Sequence, residues 1–279
     1  MSLTNAFLVP HSPILIPEIG KNNQSLLRQT TEAFATLSAR LKESGAETLI
    51  IISWRGLGQD DYFSANAFPD PSGDLSQFGL LAAQKKFTTD LILLDKIRQA
   101  LKPRLQLLSS ETLDYPTSIP LKLLSDNLPA KIISLQVANN LSVLDHINFG
   151  RDLGAILQAE SKKIALIAAG ELSQRLKKIS PSGYSPKGAK FDNKIIAALD
   201  AGTEAANQLL AIDPQLAATA GECALKPLAV LIGALNDCIF ESDILSYQTE
   251  LGIGYLSVDL PIKSYVEPGT IITSRDTGE

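Results

Sequence analysis

A chain of 279 residues with 45% hydrophobic and 20% charged side chains has ordinary globular composition, which excludes a disordered or fibrous protein. A net charge of −5, with no basic run, argues against a nucleic-acid partner. No apolar stretch reaches the length of a membrane span, no signal-peptide pattern is visible, and the two cysteines, Cys223 and Cys238, form no metal-type cluster, so a reduced cytoplasmic setting is the expectation.

The first element is a short apolar run, Phe7 to Val9, that reads as a buried strand stopped by Pro10. His11, one of two histidines, therefore stands just past a strand end, where ligands collect in open α/β sheets. The alternative is a loop histidine bonded to nearby backbone. Leu26, Leu27, Thr30, Phe34, Leu37 and Leu41 recur at helical spacing, with Ser25 as a plausible cap and Gly45 as the stop. Thr48 to Ser53 is a continuous β-branched run, the mark of a parallel strand buried on both faces.

Residues 56 to 88 break the pattern and read as an excursion lining the site. Lys131 to Leu135 and Ile164 to Ala169 are further buried strands, and Ser142 caps a helix running to Ala159 between them. After Gly170 the chain turns mostly helical: Phe191 to Leu199, Ala205 to Leu210, a start at Asp213-Pro214, and Leu225 to Leu235. Leu245 to Tyr247 and Gly254 to Val258 look like late strands. The pattern implies one three-layer α/β domain over 1–262, with a mostly parallel central sheet flanked by helices, and a loosely attached tail over 263–279.

Several segments resemble a known family. Val9-Pro10-His11-Ser12-Pro13 is similar to a Val-Pro-His-Pro-Pro start. Gly73 to Gly79, Ala168 to Leu176, Gly183-Tyr184, Phe191-Asp192, Gly221 to Leu228 and Leu245 to Tyr247 follow in the family's order. Together they resemble the class III extradiol ring-cleavage dioxygenase B-subunit (LigB-like) family, in its Memo-like branch associated with radical-SAM gene systems. The resemblance implies that family's α/β fold and an Fe²⁺ site of two histidines and a carboxylate. It matches His11 to the first ligand and Glu222 to the carboxylate, with Cys223 beside it as the ligand of Memo-like relatives.

The departures are as informative. A Ser-Pro-His pattern is expected after Ser53, where the chain has Trp54 and Arg55. Arginine is always charged and cannot ligate a cation. Leu-Asp-His-Gly is replaced by Leu113-Asp114-Tyr115-Pro116, and Gly-Asp-Leu-Ser-His by Gly170-Glu171-Leu172-Ser173-Gln174. Gln174 cannot transfer a proton as the family's acid/base histidine does. His146 has no family match and reads as a surface or capping residue.

Arg55, Asp114, Tyr115, Glu171 and Gln174 are therefore pocket candidates, and His11 and Glu222 the remnants of a metal site. Arg55 is read as a substitute for the metal charge, as an anion contact, or as a plain loop arginine. Trp54 walls the pocket or simply packs.

The expectation is a family member without dioxygenase activity and without a cofactor. It would bind a small molecule or a protein, the resemblance pointing to radical-SAM-associated partners. The alternatives are an Fe²⁺-dependent oxidoreductase using His11 and Glu222, and a metal-free hydrolase. A homodimer is the default assembly.

Overall fold

A computed structural model describes residues 2–54, 61–81 and 85–265; Arg55, singled out above, lies outside the described residues. In chain order, β1 (Leu3–Val9) leads through the single turn α1 (Pro17–Gly20) to α2 (Arg28–Ser44) and β2 (Thr48–Ser53). β3 (Phe63–Asn66) and β4 (Ser72–Gly73) precede α3 (Leu91–Leu101), β5 (Leu105–Leu108), β6 (Thr112–Leu113) and α4 (Tyr115–Leu123). Then come β7 (Lys131–Gln136), α5 (Val143–Gln158), β8 (Ile164–Ala169), α6 (Pro186–Asp200), α7 (Ala205–Leu210), α8 (Pro214–Ala220) and α9 (Leu225–Ala234). The last described elements are β9 (Cys238–Phe240), β10 (Asp243–Gln248), β11 (Tyr255–Asp259) and β12 (Ile262–Tyr265).

Among the described residues the central sheet has eight strands, in the order β10-β11-β1-β8-β2-β7-β3-β5. The middle four, β1, β8, β2 and β7, are parallel, as their uninterrupted apolar runs predict. β3 and β11 flank them antiparallel. Alternate side chains of each strand point to opposite faces. Leu8, Ile50, Ile52, Leu166 and Ala168 face a core shared with α3, α5, α6 and α9. Phe7, Val9, Ile51 and Ile167 face Phe34, Leu37 and Leu41 of α2 and Leu121 of α4. The result is the three-layer α/β arrangement expected. Among the described residues no helix is long and apolar enough to cross a membrane.

Several details differ from the sequence reading. α2 starts at Arg28, because residues Lys21–Leu27 form 3₁₀ turns and Ser25 donates to Asn22 O instead of capping. The first turn is capped from a distance: Gln248 Oε1 accepts from both the backbone N–H and the hydroxyl of Thr30. The excursion over 56–88 contains a sheet strand, β3, buried along its length. β12 pairs with β9, and Leu3 N–H donates to Tyr265 Oη, so the attached chain runs past residue 262 at least to Tyr265.

His146 is fully buried, against the expectation of a surface or capping role. Its Nδ1 donates to Ser142 O at 2.7 Å and its ring meets Phe63 edge-on. Burial pushes its pKa down to about 4, so the imidazole is neutral.

In the core α5 packs directly against α9. An added Cβ at Gly150 would lie 2.2 Å from Val230 O, and one at Gly233 would lie 2.3 Å from Ile147 O. Glycine on both sides lets the two backbones touch.

Candidate metal centre

Three strand ends set up the site. Val9 of β1 and Ser53 of β2 both lie in register with Ala169 of β8, which runs between them. The residues that follow, His11, Glu171 and Trp54, therefore emerge side by side at the carboxyl end of the parallel strands. A fourth segment, the α8–α9 connection, brings in Cys223. It can do so because residue 170 is glycine: a Cβ there would lie 2.5 Å from Ala224 Cα and 2.8 Å from Cys223 O. The contact is fixed by Cys223 N–H donating to Glu171 O and by Glu171 N–H donating to the Cys223 sulfur.

His11, Glu171 and Cys223 converge on one point, all buried. His11 Nε2 is 3.0 Å from Glu171 Oε2, and Cys223 Sγ is 3.4 Å from Oε2 and 3.8 Å from Nε2. Glu171 Oε1 accepts the backbone N–H of His11 at 3.0 Å, which locks the carboxylate beside the ring. Trp54 Nε1–H points at the same Nε2, 3.2 Å away. His11 Nδ1 is buried with no partner among the described residues.

A Cys-His-Glu proton relay would need Cys and Glu on opposite ring nitrogens. Here both face Nε2, so the geometry is that of ligands around a cation. The donors suit one: zinc takes imidazole, carboxylate and thiolate together. Bond lengths of about 2.0–2.3 Å in a tetrahedron separate such donors by roughly 3.3–3.6 Å, near the distances found.

The charges follow from burial and proximity. Burial pushes the Cys223 thiol well above its ordinary value, and neighbouring Glu171 adds to this. A bound cation reverses that preference, since a coordinating thiol is deprotonated. Burial also works to raise Glu171, but the charge and hydrogen bonds of His11 outweigh it and hold the carboxyl below its usual range.

The other candidates fall at different distances from this point. Tyr115 meets the His11 ring edge-on, with centroids 5.6 Å apart. Asp114 caps α4, accepting from Thr117 N–H and from Ser53 Oγ. Burial raises its pKa to about 6, against those hydrogen bonds and the charge of His11. Gln174 is half-buried, and its backbone N–H donates to Ala220 O at the end of α8.

Glu222, expected as the carboxylate beside His11, is directed elsewhere. Its Oε2 accepts from Leu225 N–H at 2.7 Å, at the N-terminus of α9, where unpaired backbone donors attract an anion. Burial still raises its pKa to about 7. Glu171 occupies the place proposed for Glu222. The participation of Trp54 has no counterpart in the sequence motif; its position one residue past a strand end was the available signal.

Behind the Glu171 loop, Asp192 accepts from Ser173 N–H and from Tyr247 Oη. Burial raises its pKa to about 6, with both hydrogen bonds opposing. The folded value lies above the unfolded 3.8, so ionisation favours unfolding. Stability from this group is full below the unfolded value and is lost as pH climbs to about 6, by roughly 3 kcal/mol. Asp192→Asn should remove that loss. Urea unfolding of both proteins across this window checks it, and equal pH dependence would contradict the assignment.

The family of the "catalytic LigB subunit of aromatic ring-opening dioxygenase" matches residues 5–256. Protein CA_C1420 of Clostridium acetobutylicum is 29% identical over 268 residues. The match covers 91% of this chain but 57% of that relative, so the chain spans little more than half of the relative's length. The crystal structure of an uncharacterized protein, JW3007, from Escherichia coli K12 superposes with a TM-score of 0.64 at 16% identity. That superposition covers 92% of this chain and 99% of that one, and shows a shared fold. With the family match running from β1 into β11, the chain belongs to the LigB family of aromatic ring-opening dioxygenase subunits.

Proposed function

We propose that this LigB-family protein does not open aromatic rings. It uses the buried site at His11 to hold a divalent cation, through His11, Glu171 and Cys223, and binds a small molecule or a partner protein beside it. The observation that carries this reading is where the imidazoles are. The chain has two histidines, and the second, His146, is buried in the α5 core. No imidazole remains to serve as the acid/base group, and Gln174 stands where the resemblance places one. The bound cation would supply Lewis-acid polarisation and would acidify a bound water.

The chain's own residues have separate tasks. Glu171 orients His11 through its backbone N–H. Tyr115 covers the imidazole edge. Asp114, with its pKa near 6, can hold or release a proton close to neutral pH. Membership of the Memo-like branch, a radical-SAM-associated partner and a cytoplasmic homodimer belong to the same proposal, which Cys223 at a ligand position supports.

A second reading, a metal-dependent oxidoreductase, is favoured by the convergence of three donors, one more than the pair expected from sequence. Elemental analysis after aerobic and anaerobic purification, followed by oxygen uptake with Fe²⁺-loaded protein and catechols, separates the two. A bound cation without catechol-dependent oxygen uptake is expected. Ring opening with turnover would promote the second reading.

A further inference from the structure

Two incompatible demands fall on one nitrogen. Trp54 Nε1–H donates to His11 Nε2 at 3.2 Å, while Glu171 Oε2 lies 3.0 Å from the same atom. A neutral ring nitrogen carries either a lone pair or a proton. If Nε2 accepts from the indole, it has no proton for the carboxylate. If it is protonated toward Glu171, it has no lone pair for the indole. The other ring nitrogen brings no relief, since Nδ1 is buried without a partner among the described residues.

The lone pair needed to ligate a cation is the one the indole holds. We infer that the indole N–H of Trp54 is a displaceable cap on the cation position, so that cation binding and the Trp54–His11 hydrogen bond exclude each other. This rests on the cation reading given above. Trp54 stands one residue past β2, beside the two other strand ends that supply His11 and Glu171, and an indole N–H is a donor only. It fills space at the ligating nitrogen without being able to become a ligand.

Two properties follow. An entering cation must displace one hydrogen bond, which lowers its affinity roughly 2- to 10-fold. The displacement also sharpens selectivity. Zn²⁺ gains enough at imidazole and thiolate to remove the indole, whereas Mg²⁺ and Ca²⁺, which prefer oxygen donors, do not.

The chain's single tryptophan makes this directly measurable. Biosynthetic replacement by 3-benzothienylalanine exchanges the N–H for sulfur while keeping the ring shape. Zn²⁺ alone is the probe, titrated by calorimetry into both proteins. The ¹H–¹⁵N resonance of the indole in unsubstituted protein gives a second readout that needs no variant. Zinc binding about 2- to 10-fold tighter to the benzothienyl protein is expected. In the natural protein the indole resonance should move in step with binding and saturate at one zinc per chain. Equal zinc affinities with an unmoved indole resonance would overturn the cap and leave the cation site standing. No zinc binding by either protein would overturn both.

Discussion

Cys223→Ser is expected to lower the affinity for Zn²⁺ by at least about 100-fold. Loss of a group that merely supports a ligand typically costs 10- to 100-fold, and Cys223 is one of three donors. Glu171→Gln should be comparably severe for the cation. It keeps an acceptor for the backbone N–H of His11, so the fold should survive. The measurement is competition against a chromophoric chelator, with thermal melting with and without zinc. Natural protein saturated to 100 times its dissociation constant should gain about 2.7 kcal/mol, and either variant little. Unchanged affinity in Cys223→Ser would remove the thiol from the site. Glu222→Gln is the internal control. Its carboxylate caps α9, so it should alter stability more than zinc affinity.

Gly150→Val is expected to destabilise the fold by about 3 kcal/mol. The clash is with backbone, since the added Cβ would sit 2.2 Å from Val230 O, and a carbonyl inside α9 cannot turn aside like a side chain. Helix propensity alone makes the opposite forecast for Gly150→Ala, a gain of about 1 kcal/mol in a helix interior. The sign of that substitution in equilibrium denaturation therefore tests whether α5 and α9 touch. A stabilised alanine variant would mean the helices are farther apart than described. Gly154 offers a replicate, with its added Cβ 2.3 Å from Ala234 O.

What was legible in the sequence follows from what burial does to it. β1, β2, β7 and β8 are covered on both faces, and their apolar runs announce this without any partner being known. The capping box at Ser142 and Asp145 is likewise a local signal, and α5 begins where it indicates. α4 was not legible, because Pro120 inside it lowers its helix propensity and its start depends on Asp114 acting as a cap. The start of α2 depends on Gln248, whose distance along the chain no local pattern encodes.

The site divides the same way. His11 was identifiable because Pro10 marks the end of a strand. Choosing between Glu171 and Glu222 was not possible from residue type, because both adjoin plausible ligating positions. Glu222 and Cys223 are neighbours in sequence, yet the backbone sends one side chain to the α9 N-terminus and the other to His11.

The separation between His11 and Cys223, 212 residues, bears on how the protein comes into being. At ribosomal speeds of about 5–20 residues per second, His11 waits roughly 10–40 s before Cys223 is made. Its strand waits too, since β1 lies between β8 and β11, both encoded in the second half of the chain. During that interval an apolar strand destined for the centre of the sheet has neither neighbour, which is the state most open to wrong pairing. The site at His11 thus cannot be complete before Cys223 has been made, and a cation meets all three donors no earlier than that.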